Sequence, residues 1–196
     1  MSLFAGTHFI ASAHDAHELP PDVGSEIAFA GRSNAGKSSA INSITHRNRL
    51  AFVSKTPGRT QTINFFACGA NRRLVDLPGY GYAAVPKHER AHWGTLMSTY
   101  LSRRSSLKAL VLIADARHPL SVMDEQLLGW YAPYGQPVLV LLTKSDKLGR
   151  QAALNALKSA EAVLTSRYPA ASAQLFSAVT GTGLRAAQGL LHGWLK

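Results

Sequence analysis

Short apolar runs alternate with longer segments of mixed polarity along most of this chain. Two runs, ALVLIAD from Ala109 to Asp115 and PVLVLL from Pro137 to Leu142, predict strands that are buried on both faces. Shorter strands are predicted for EIAFA (26–30), INFFAC (63–68), RRLVD (72–76) and AQLFS (173–177). The second and third of these face each other across the turn Gly69-Ala70-Asn71, which predicts a hairpin.

The segments between the strands predict helices. They begin at Lys37, after Pro86, near Ser121, near Arg150 and near Gly183. Buried strands that alternate with helices are typical of a mostly parallel sheet covered on both faces. We therefore expect an α/β fold with a six-stranded sheet, one antiparallel strand from the hairpin, and helices on both sides. Residues 1–196 are expected to form a single domain, with 1–24 as an N-terminal lead-in.

Composition narrows the class of protein. The chain has 196 residues, 46% of them hydrophobic, which suits one globular domain with a real core. No apolar run is long enough to cross a bilayer, and the N-terminus does not resemble a signal peptide. The lone Cys68 excludes an internal disulfide and a cysteine zinc site. We expect a soluble cytoplasmic protein.

The net charge of +10 is concentrated in one third of the sequence. Between His46 and Lys108, eleven basic residues face only two acidic ones, so this stretch carries +9. Such a concentration suits a polyanionic partner such as RNA. The simpler interpretation is a basic face that is merely solvated.

The strongest motif is GRSNAGKS, from Gly31 to Ser38, between the first predicted strand and the first predicted helix. Its spacing is that of a phosphate-binding loop, G-x-x-x-x-G-K-[ST], in the structural context that the motif requires. Backbone N–H groups there close around phosphate oxygens at a helix N-terminus. Lys37 would contact the β- and γ-phosphates, and the Ser38 hydroxyl would ligate Mg²⁺.

A second motif, DLPG from Asp76 to Gly79, follows the second strand of the hairpin. The carboxylate of Asp76 can hold Mg²⁺ through water, and the N–H of Gly79 can sense a γ-phosphate. The motif is common by chance, and its value comes from its position downstream of the phosphate loop.

A third motif, TKSD from Thr143 to Asp146, selects the base. The Asp146 carboxylate can accept from both N1–H and the N2 amino group of guanine, whereas adenine lacks these donors. Lys144 can lie over the base plane. Thr143 stands where Asn is more usual, so a side-chain amide that ties this loop to the phosphate loop is missing, and looser base binding is expected. Residues 176–178 can offer backbone N–H groups to the guanine O6.

These motifs resemble the translation-factor-related class of P-loop GTPases. With KTPGRTQTINFF from Lys55 to Phe66, the chain is similar to the EngB family, also called YihA/YsxC, over nearly its whole length. The resemblance implies a single GTPase domain, with GTP/GDP and Mg²⁺ as ligands, that acts in assembly of the large ribosomal subunit. It also implies a requirement in cell division and septation.

By position in the family, Thr60 is the first-switch threonine that would ligate Mg²⁺ beside Ser38, with Thr62 as its rival and a capping hydroxyl as the simpler interpretation. Segment 58–62 would fold over the phosphates and Mg²⁺ when GTP is bound. The whole predicted site comprises Gly31, Arg32, Ser33, Asn34, Ala35, Gly36, Lys37, Ser38, Ser39, Gly58, Arg59, Thr60, Gln61, Thr62, Asp76, Leu77, Pro78, Gly79, Thr143, Lys144, Ser145, Asp146, Phe176, Ser177 and Ala178.

Hydrolysis is expected to be slow, because Tyr80 follows DLPG where many GTPases have a glutamine that orients the attacking water. The predicted catalytic residues are Lys37, Thr60 and Asn34. Relatives with Asn at the position of Asn34 can hold a K⁺ ion that supplies charge near the phosphates, but an asparagine there can equally well serve a turn. A ribosomal surface could also complete the site in trans.

One competing motif is HERAH, from His88 to His92, which has the H-E-x-x-H spacing of zinc proteases. The extended motif needs a glycine and a third histidine, where this chain has Thr95 and Ser98. We reject a zinc hydrolase and assign HERAH to the start of the second-switch helix. A GTPase with a tRNA-modification or membrane-linked septation client stays open. We expect the large ribosomal subunit as partner through a basic surface in 46–108, no DNA partner, no membrane anchor, and a monomer.

Overall fold

The computed structural model describes residues 4–51, 62–81 and 87–196, and within 87–93 it describes only the backbone. Within these residues, seven strands form one sheet: β1 (His8–Ala13), β2 (Ser25–Gly31), β3 (Ile63–Ala67), β4 (Arg72–Asp76), β5 (Leu107–Asp115), β6 (Val138–Thr143) and β7 (Ala171–Leu175). The same described ranges contain five α-helices: α1 (Lys37–Thr45), α2 (Lys87–Arg103), α3 (Val122–Tyr131), α4 (Arg150–Arg167) and α5 (Leu184–Trp194). The expected α/β class is confirmed.

The strand order is β1-β3-β4-β2-β5-β6-β7. Strand β3 pairs antiparallel with both β1 and β4, and the other strand pairs are parallel. The mostly parallel sheet with one reversed strand is therefore confirmed. Parallel pairing brings the carboxyl ends of β2, β4, β5 and β6 to one edge, where ligands of such folds bind.

The number of strands was wrong, because the six-stranded prediction omits β1 and leaves its residues in the N-terminal lead-in. This edge strand pairs with β3, from His8 opposite Ala67 to Ala13 opposite Ile63. Most of its side chains are exposed, including Phe9 and Ile10, so HFIASA lacks the buried run or clean alternation of a core strand. Strand β7 also begins and ends two residues earlier than predicted, so Phe176 and Ser177 follow the strand.

The core lies on both sides of the sheet. On one side, residues of α2, α3 and α4 such as Tyr100, Leu128 and Leu164 pack on the strands. On the other side, Ile41 of α1 and Leu191 of α5 do so. Within the described parts of the chain, no helix combines the length and apolar character needed to cross a membrane.

Candidate nucleotide site

The phosphate loop connects β2 to α1 by way of two left-handed residues. Gly36, which precedes the helix, has φ 102°, and a Cβ there would lie 3.4 Å from the Thr143 hydroxyl. A glycine is therefore needed both for the turn and for the close approach of the base loop. Asn34 has φ 65°, a conformation in which asparagine is enriched, which supports its turn role without testing K⁺ binding.

Hydrogen bonds inside the loop narrow the list of its phosphate donors. The N–H of Ser33 donates to the Tyr80 carbonyl at 3.0 Å, and the N–H of Ala35 donates to the Arg32 carbonyl at 3.0 Å. These two groups are already used. We therefore expect phosphate contacts from the N–H groups of Asn34, Gly36 and the first turn of α1, which lacks intrahelical acceptors.

The DLPG segment runs along the phosphate loop, as the sequence predicted. Leu77 N–H donates to the Phe29 carbonyl at 3.0 Å, and Tyr80 N–H donates to the Gly31 carbonyl at 3.3 Å. A Cβ on Gly79 would lie 3.0 Å from the Ser33 Oγ, so the backbone of Gly79 passes close to the loop. This places its N–H beside the loop that holds the terminal phosphates.

Lys37 and Asp76 come together where β4 ends beside the start of α1. The Lys37 Nζ contacts the Asp76 Oδ1, and both side chains are largely buried. Ser38 follows Lys37 in the first turn of α1 and is partly buried. The structure thus brings a lysine, a carboxylate and a serine to one strand end, the combination that a magnesium–nucleotide site uses.

The base loop is tied to the phosphate loop more firmly than its sequence suggested. The Thr143 Oγ1 donates to the Ala35 carbonyl and lies 3.0 Å from the Ala114 carbonyl. The Lys144 Nζ donates to the Asn34 carbonyl at 2.7 Å. The expectation of a missing tie is therefore wrong, because a hydroxyl replaces the amide. Base affinity itself stays a prediction.

The side chain of Ser177 orients Asp146, a role that the sequence analysis missed. Its hydroxyl donates to the Asp146 Oδ1 at 2.6 Å and accepts from the N–H groups of Val179 and Thr180. A short strand-end loop thereby fixes the carboxylate that would bind guanine N1 and N2. Ser145 adds a further link, because its Oγ donates to the Phe176 carbonyl at 3.0 Å.

Only one of the three backbone donors expected for guanine O6 remains. The N–H of Phe176 donates to the Leu142 carbonyl at 2.9 Å, and the N–H of Ser177 donates to the Thr182 carbonyl at 3.0 Å. The expectation that 176–178 act together is corrected accordingly. The exposed Ala178 is left as the O6 donor.

Asp115, at the end of β5, is a second residue that the motifs did not point to. Its Oδ2 lies 2.9 Å from the Lys144 Nζ and 2.7 Å from an Arg117 amino group. Hydrogen bonds from Arg117, opposed by partial burial and aided by Lys144, hold the pKa of this carboxyl well below its usual range. The carboxylate therefore keeps Lys144 positioned against the phosphate loop.

Tyr80 connects the DLPG segment to α3. Its hydroxyl donates to the Asp124 Oδ1 at 2.6 Å, while the Asp124 Oδ2 accepts from Ser121 in a capping box. Burial, and then the negative charge of Asp124, raises the pKa of Tyr80 well above its ordinary value, so the phenol stays a donor. The S-x-x-D spacing of SVMD carried a sequence signal for this cap. The bond engages the group that stands in place of the usual glutamine.

A cavity of about 230 Å³ lies on the β5 side of the phosphate loop, lined by 32–35, 113–115, Arg117, His118, Asp124 and Lys144. It is therefore formed partly by the phosphate loop and by Lys144 of the base loop, whereas Lys37, Ser38, Asp76 and Asp146 do not line it.

Of the predicted first-switch residues 58–62, the structure describes only Thr62. Gly58, Arg59, Thr60 and Gln61 lie outside the described residues. Thr62 is buried, and its Oγ1 donates to the Asn64 Oδ1 at 3.1 Å. That amide oxygen also accepts from Ser12 of β1 at 2.6 Å. Thr62 is thus part of the polar contact between β1 and β3.

Comparison with known proteins agrees with this geometry. A family model described as "50S ribosome-binding GTPase" matches residues 26–144. A probable GTP-binding protein EngB from Azoarcus sp. is 54% identical over 196 residues, covering 100% of this chain and 94% of the relative. The corresponding protein of Methylobacillus flagellatus is 51% identical over 195 residues, with the same coverage. The chain belongs to the EngB family of GTP-binding proteins. It is accordingly a GTPase, as the motifs predicted.

Solved structures support the fold of this EngB protein. A crystal structure of a probable GTP-binding protein engB superposes with a TM-score of 0.68 at 22% identity, covering 87% of this chain and 98% of the other. A structure of Era in complex with MgGDPNP and nucleotides 1506–1542 of 16S ribosomal RNA gives a TM-score of 0.67 at 20% identity. It covers 89% of this chain and 57% of the Era chain.

Membership of the EngB family also argues against a zinc hydrolase built on HERAH. HERAH lies in α2, whose backbone is helical from Lys87 as predicted, and its side chains lie outside the described part. Among the described residues, the one cluster of potential metal ligands is Asp15, His17 and Glu18, on a surface turn far along the chain from HERAH. The GTPase family, with the phosphate loop, DLPG and TKSD each at a strand end, accounts for the chain.

Proposed function

We propose that this EngB protein is a GTP-dependent switch in assembly of the large ribosomal subunit, and that normal cell division and septation depend on it. The observation that carries the proposal is the family model described as a 50S ribosome-binding GTPase, which matches residues 26–144 and so includes the phosphate loop and the DLPG segment. A cytoplasmic location suits this role.

Guanine selection would come from Asp146 held by Ser177, with the Ala178 N–H at O6. A site built to bind the N–H groups of a base rejects an analogue without them strongly, because its buried polar groups are left unpaired. The switch would come from Gly79, whose backbone passes beside Ser33. Its N–H would donate to the γ-phosphate of GTP and lose this contact when GDP is bound.

Mg²⁺ fits the residues at the end of β4. The Asp76 carboxylate and the Ser38 hydroxyl are the hard oxygen donors that this cation prefers, and Thr60 would add a third by family position. When bound, Mg²⁺ neutralises charge on the β- and γ-phosphates. Lys37 adds a positive charge at the same place, where it contacts Asp76.

We expect hydrolysis by the isolated protein to be slow for two reasons. The Tyr80 hydroxyl already donates to Asp124. Tyrosine also lacks the side-chain amide with which the usual glutamine orients the attacking water. Charge that speeds the reaction would come from K⁺ near Asn34 or from the ribosomal surface. Single-turnover phosphate release at matched ionic strength distinguishes these sources: faster release in K⁺ than in Na⁺ supports the ion, and equal rates remove it.

The decisive experiment is co-sedimentation of the purified protein with large ribosomal subunits. We expect recovery with a non-hydrolysable GTP analogue and little recovery with GDP or with small subunits. Asp146→Ala should abolish GTP-dependent recovery, whereas Glu161→Ala, at an exposed position of α4, should not. Recovery only with membranes or with tRNA would contradict the ribosomal role and favour a non-ribosomal client.

A further inference from the structure

One face of the molecule carries basic side chains without any acidic residue. It is formed by α1 with the loop that follows it, 46–51, and by α5 with the chain end, 184–196. No Asp or Glu occurs between Lys37 and Ala51 or between Leu184 and Lys196. We call its exposed cationic surface the α1–α5 face; it comprises His46, Arg47, Arg49, Arg185, His192 and Lys196.

Direct contacts hold these two segments side by side. The Gln188 Nε2 of α5 donates to the Ile44 carbonyl of α1 at 2.7 Å and lies 2.9 Å from the His46 Nε2. The Arg72 Nε donates to the Leu195 carbonyl at 2.8 Å and so fixes the end of α5. Basic residues separated by more than 130 positions in sequence therefore share one surface.

The loop that presents Arg47 and Arg49 is anchored at both ends. Asn42 donates to the Ala51 carbonyl at 3.0 Å and accepts from the Ala51 N–H at 2.8 Å. At the other end, the Arg47 N–H donates to the Asn42 carbonyl at 3.0 Å. An anchored loop loses less conformational entropy when its side chains bind a partner.

Several basic residues elsewhere in the described structure pair with acids. Arg73 and Arg104 pair with the fully buried Glu26, Arg117 and Lys144 with Asp115, and Arg167 with Glu125. Across the described residues, no ion pair joins an acidic side chain to the arginines or lysine of the α1–α5 face. Among the described residues, the face therefore gathers four cationic side chains without an acidic partner on two adjoining segments that contain no acid.

We propose that the α1–α5 face binds the phosphate backbone of ribosomal RNA. The choice of RNA as the polyanion rests on the proposed ribosomal function, whereas the positive charge of the face is an observation that does not depend on that function. Arginine forks, histidines and the lysine ammonium are donors suited to phosphate oxygens. A membrane surface is a poorer match, because Leu190 is the one large apolar side chain of these segments that is exposed in the described structure.

The face is separated from the nucleotide. Helix α1 has nine residues, so its C-terminal end, from which the 46–51 loop continues, lies about 13 Å from the phosphate loop at 1.5 Å per residue. None of the six side chains belongs to the nucleotide site. We therefore assign to this face an affinity for RNA that is the same with GTP and GDP, while the nucleotide-dependent part of ribosome binding comes from other surfaces.

The test measures binding to protein-free large-subunit rRNA and to intact large subunits over a range of KCl concentrations. Arg47→Glu/Arg49→Glu and Arg185→Glu/Lys196→Glu each reverse two charges on the face. Arg150→Glu/Lys158→Glu makes the same charge change at exposed positions of α4, on the opposite side of the sheet. Circular dichroism and GTP affinity check that each variant folds.

We expect each α1–α5 variant to bind rRNA at least tenfold more weakly at physiological salt, with GTP and with GDP alike. The slope of log affinity against log salt should fall by about 2, one unit for each lost phosphate contact. The α4 variant should bind within twofold of the wild type. Asn42→Ala should weaken rRNA binding less, through the loop alone.

Equal losses in the α1–α5 and α4 variants would overturn the proposal, since only net charge would then matter. Unchanged rRNA binding with lost binding to phosphatidylglycerol vesicles would overturn it in favour of a membrane surface. A wild-type protein that binds rRNA through this face but shows no GTP-dependent recovery with large subunits would instead contradict the proposed function alone.

Discussion

The two sides of the sheet use charge in opposite ways. On the α1–α5 face, the exposed cations stand without acids and face solvent. On the side of α2, α3 and α4, acids hold the structure together: Glu26 accepts from Tyr100 of α2 and from two arginines, and Asp124 caps α3. This difference shows that a basic stretch of sequence does not by itself locate a basic surface, because folding pairs some of its basic side chains with acids and leaves others exposed.

The +9 stretch between His46 and Lys108 shows this directly. Arg73 and Arg104 lie in the ion cluster around Glu26, and Arg72 donates to the Leu195 carbonyl. The exposed arginines of this stretch in the described structure include Arg47 and Arg49, which join α5 residues from the nearly neutral remainder of the sequence. The proposed RNA surface therefore combines Arg47 and Arg49 with residues of α5, instead of lying wholly within 46–108 as the sequence predicted.

The largest effect that bears on this comparison should come from Glu26→Gln. Its carboxylate is fully buried between Arg73 and Arg104, so neutralising it leaves Arg73 without a counter-charge and Arg104 with only Asp22, at 3.6 Å. We expect a loss of about 3–5 kcal/mol in the free energy of unfolding, measured with urea. Glu161→Gln, at an exposed position of α4, is the control. A loss as small as that of the control would mean that these arginines are not consumed internally.

A smaller effect is expected where the nucleotide motif meets α3. Tyr80→Phe and Asp124→Asn each remove or weaken the 2.6 Å bond between them. A double-mutant cycle should give a coupling of about 1–2 kcal/mol in unfolding, since an ionised acceptor strengthens the bond. The same cycle on the ratio of GTP to GDP affinity should also be non-additive. Additivity in both measurements would separate α3 from the switch.

The smallest effect concerns Asp22, which binds the chain after α2. Its carboxylate accepts from Ser105 and Ser106 at 2.6–2.9 Å. Burial opposes ionisation, but these hydrogen bonds hold the pKa of Asp22 well below its ordinary value. Because the folded-state pKa is depressed, the carboxylate stabilises the fold above the unfolded pKa of about 3.9, and this contribution disappears as pH falls further.

Asp22→Asn should therefore cost about 1 kcal/mol at neutral pH, a modest value because the side chain is 36% exposed. The difference from the wild type should stay constant from pH 7 to about pH 5 and shrink below pH 4, in urea unfolding at each pH. A difference that persists undiminished at pH 2.5 would show that the carboxylate charge is not responsible.

The sequence was sufficient for every buried strand, because long apolar runs such as Ala109–Asp115 can only be covered on both faces. It was insufficient for β1, whose exposed side chains carry no such signal. In the site, the motifs located the phosphate loop and the base loop. They did not reveal Asp115 or the Ser177 hydroxyl, because both act through partners distant in sequence that only the fold brings near.

Hydrogen exchange of the protein bound to protein-free large-subunit rRNA tests the contrast between the two sides most directly. We predict protection of peptides from 46–51 and 184–196 to the same degree with a GTP analogue and with GDP. Peptides that contain 76–81 and 121–125 should instead change with the nucleotide. Protection of the α1–α5 segments that appears only with GTP, or is absent in both states, would contradict the assignment of nucleotide-independent RNA binding to the α1–α5 face.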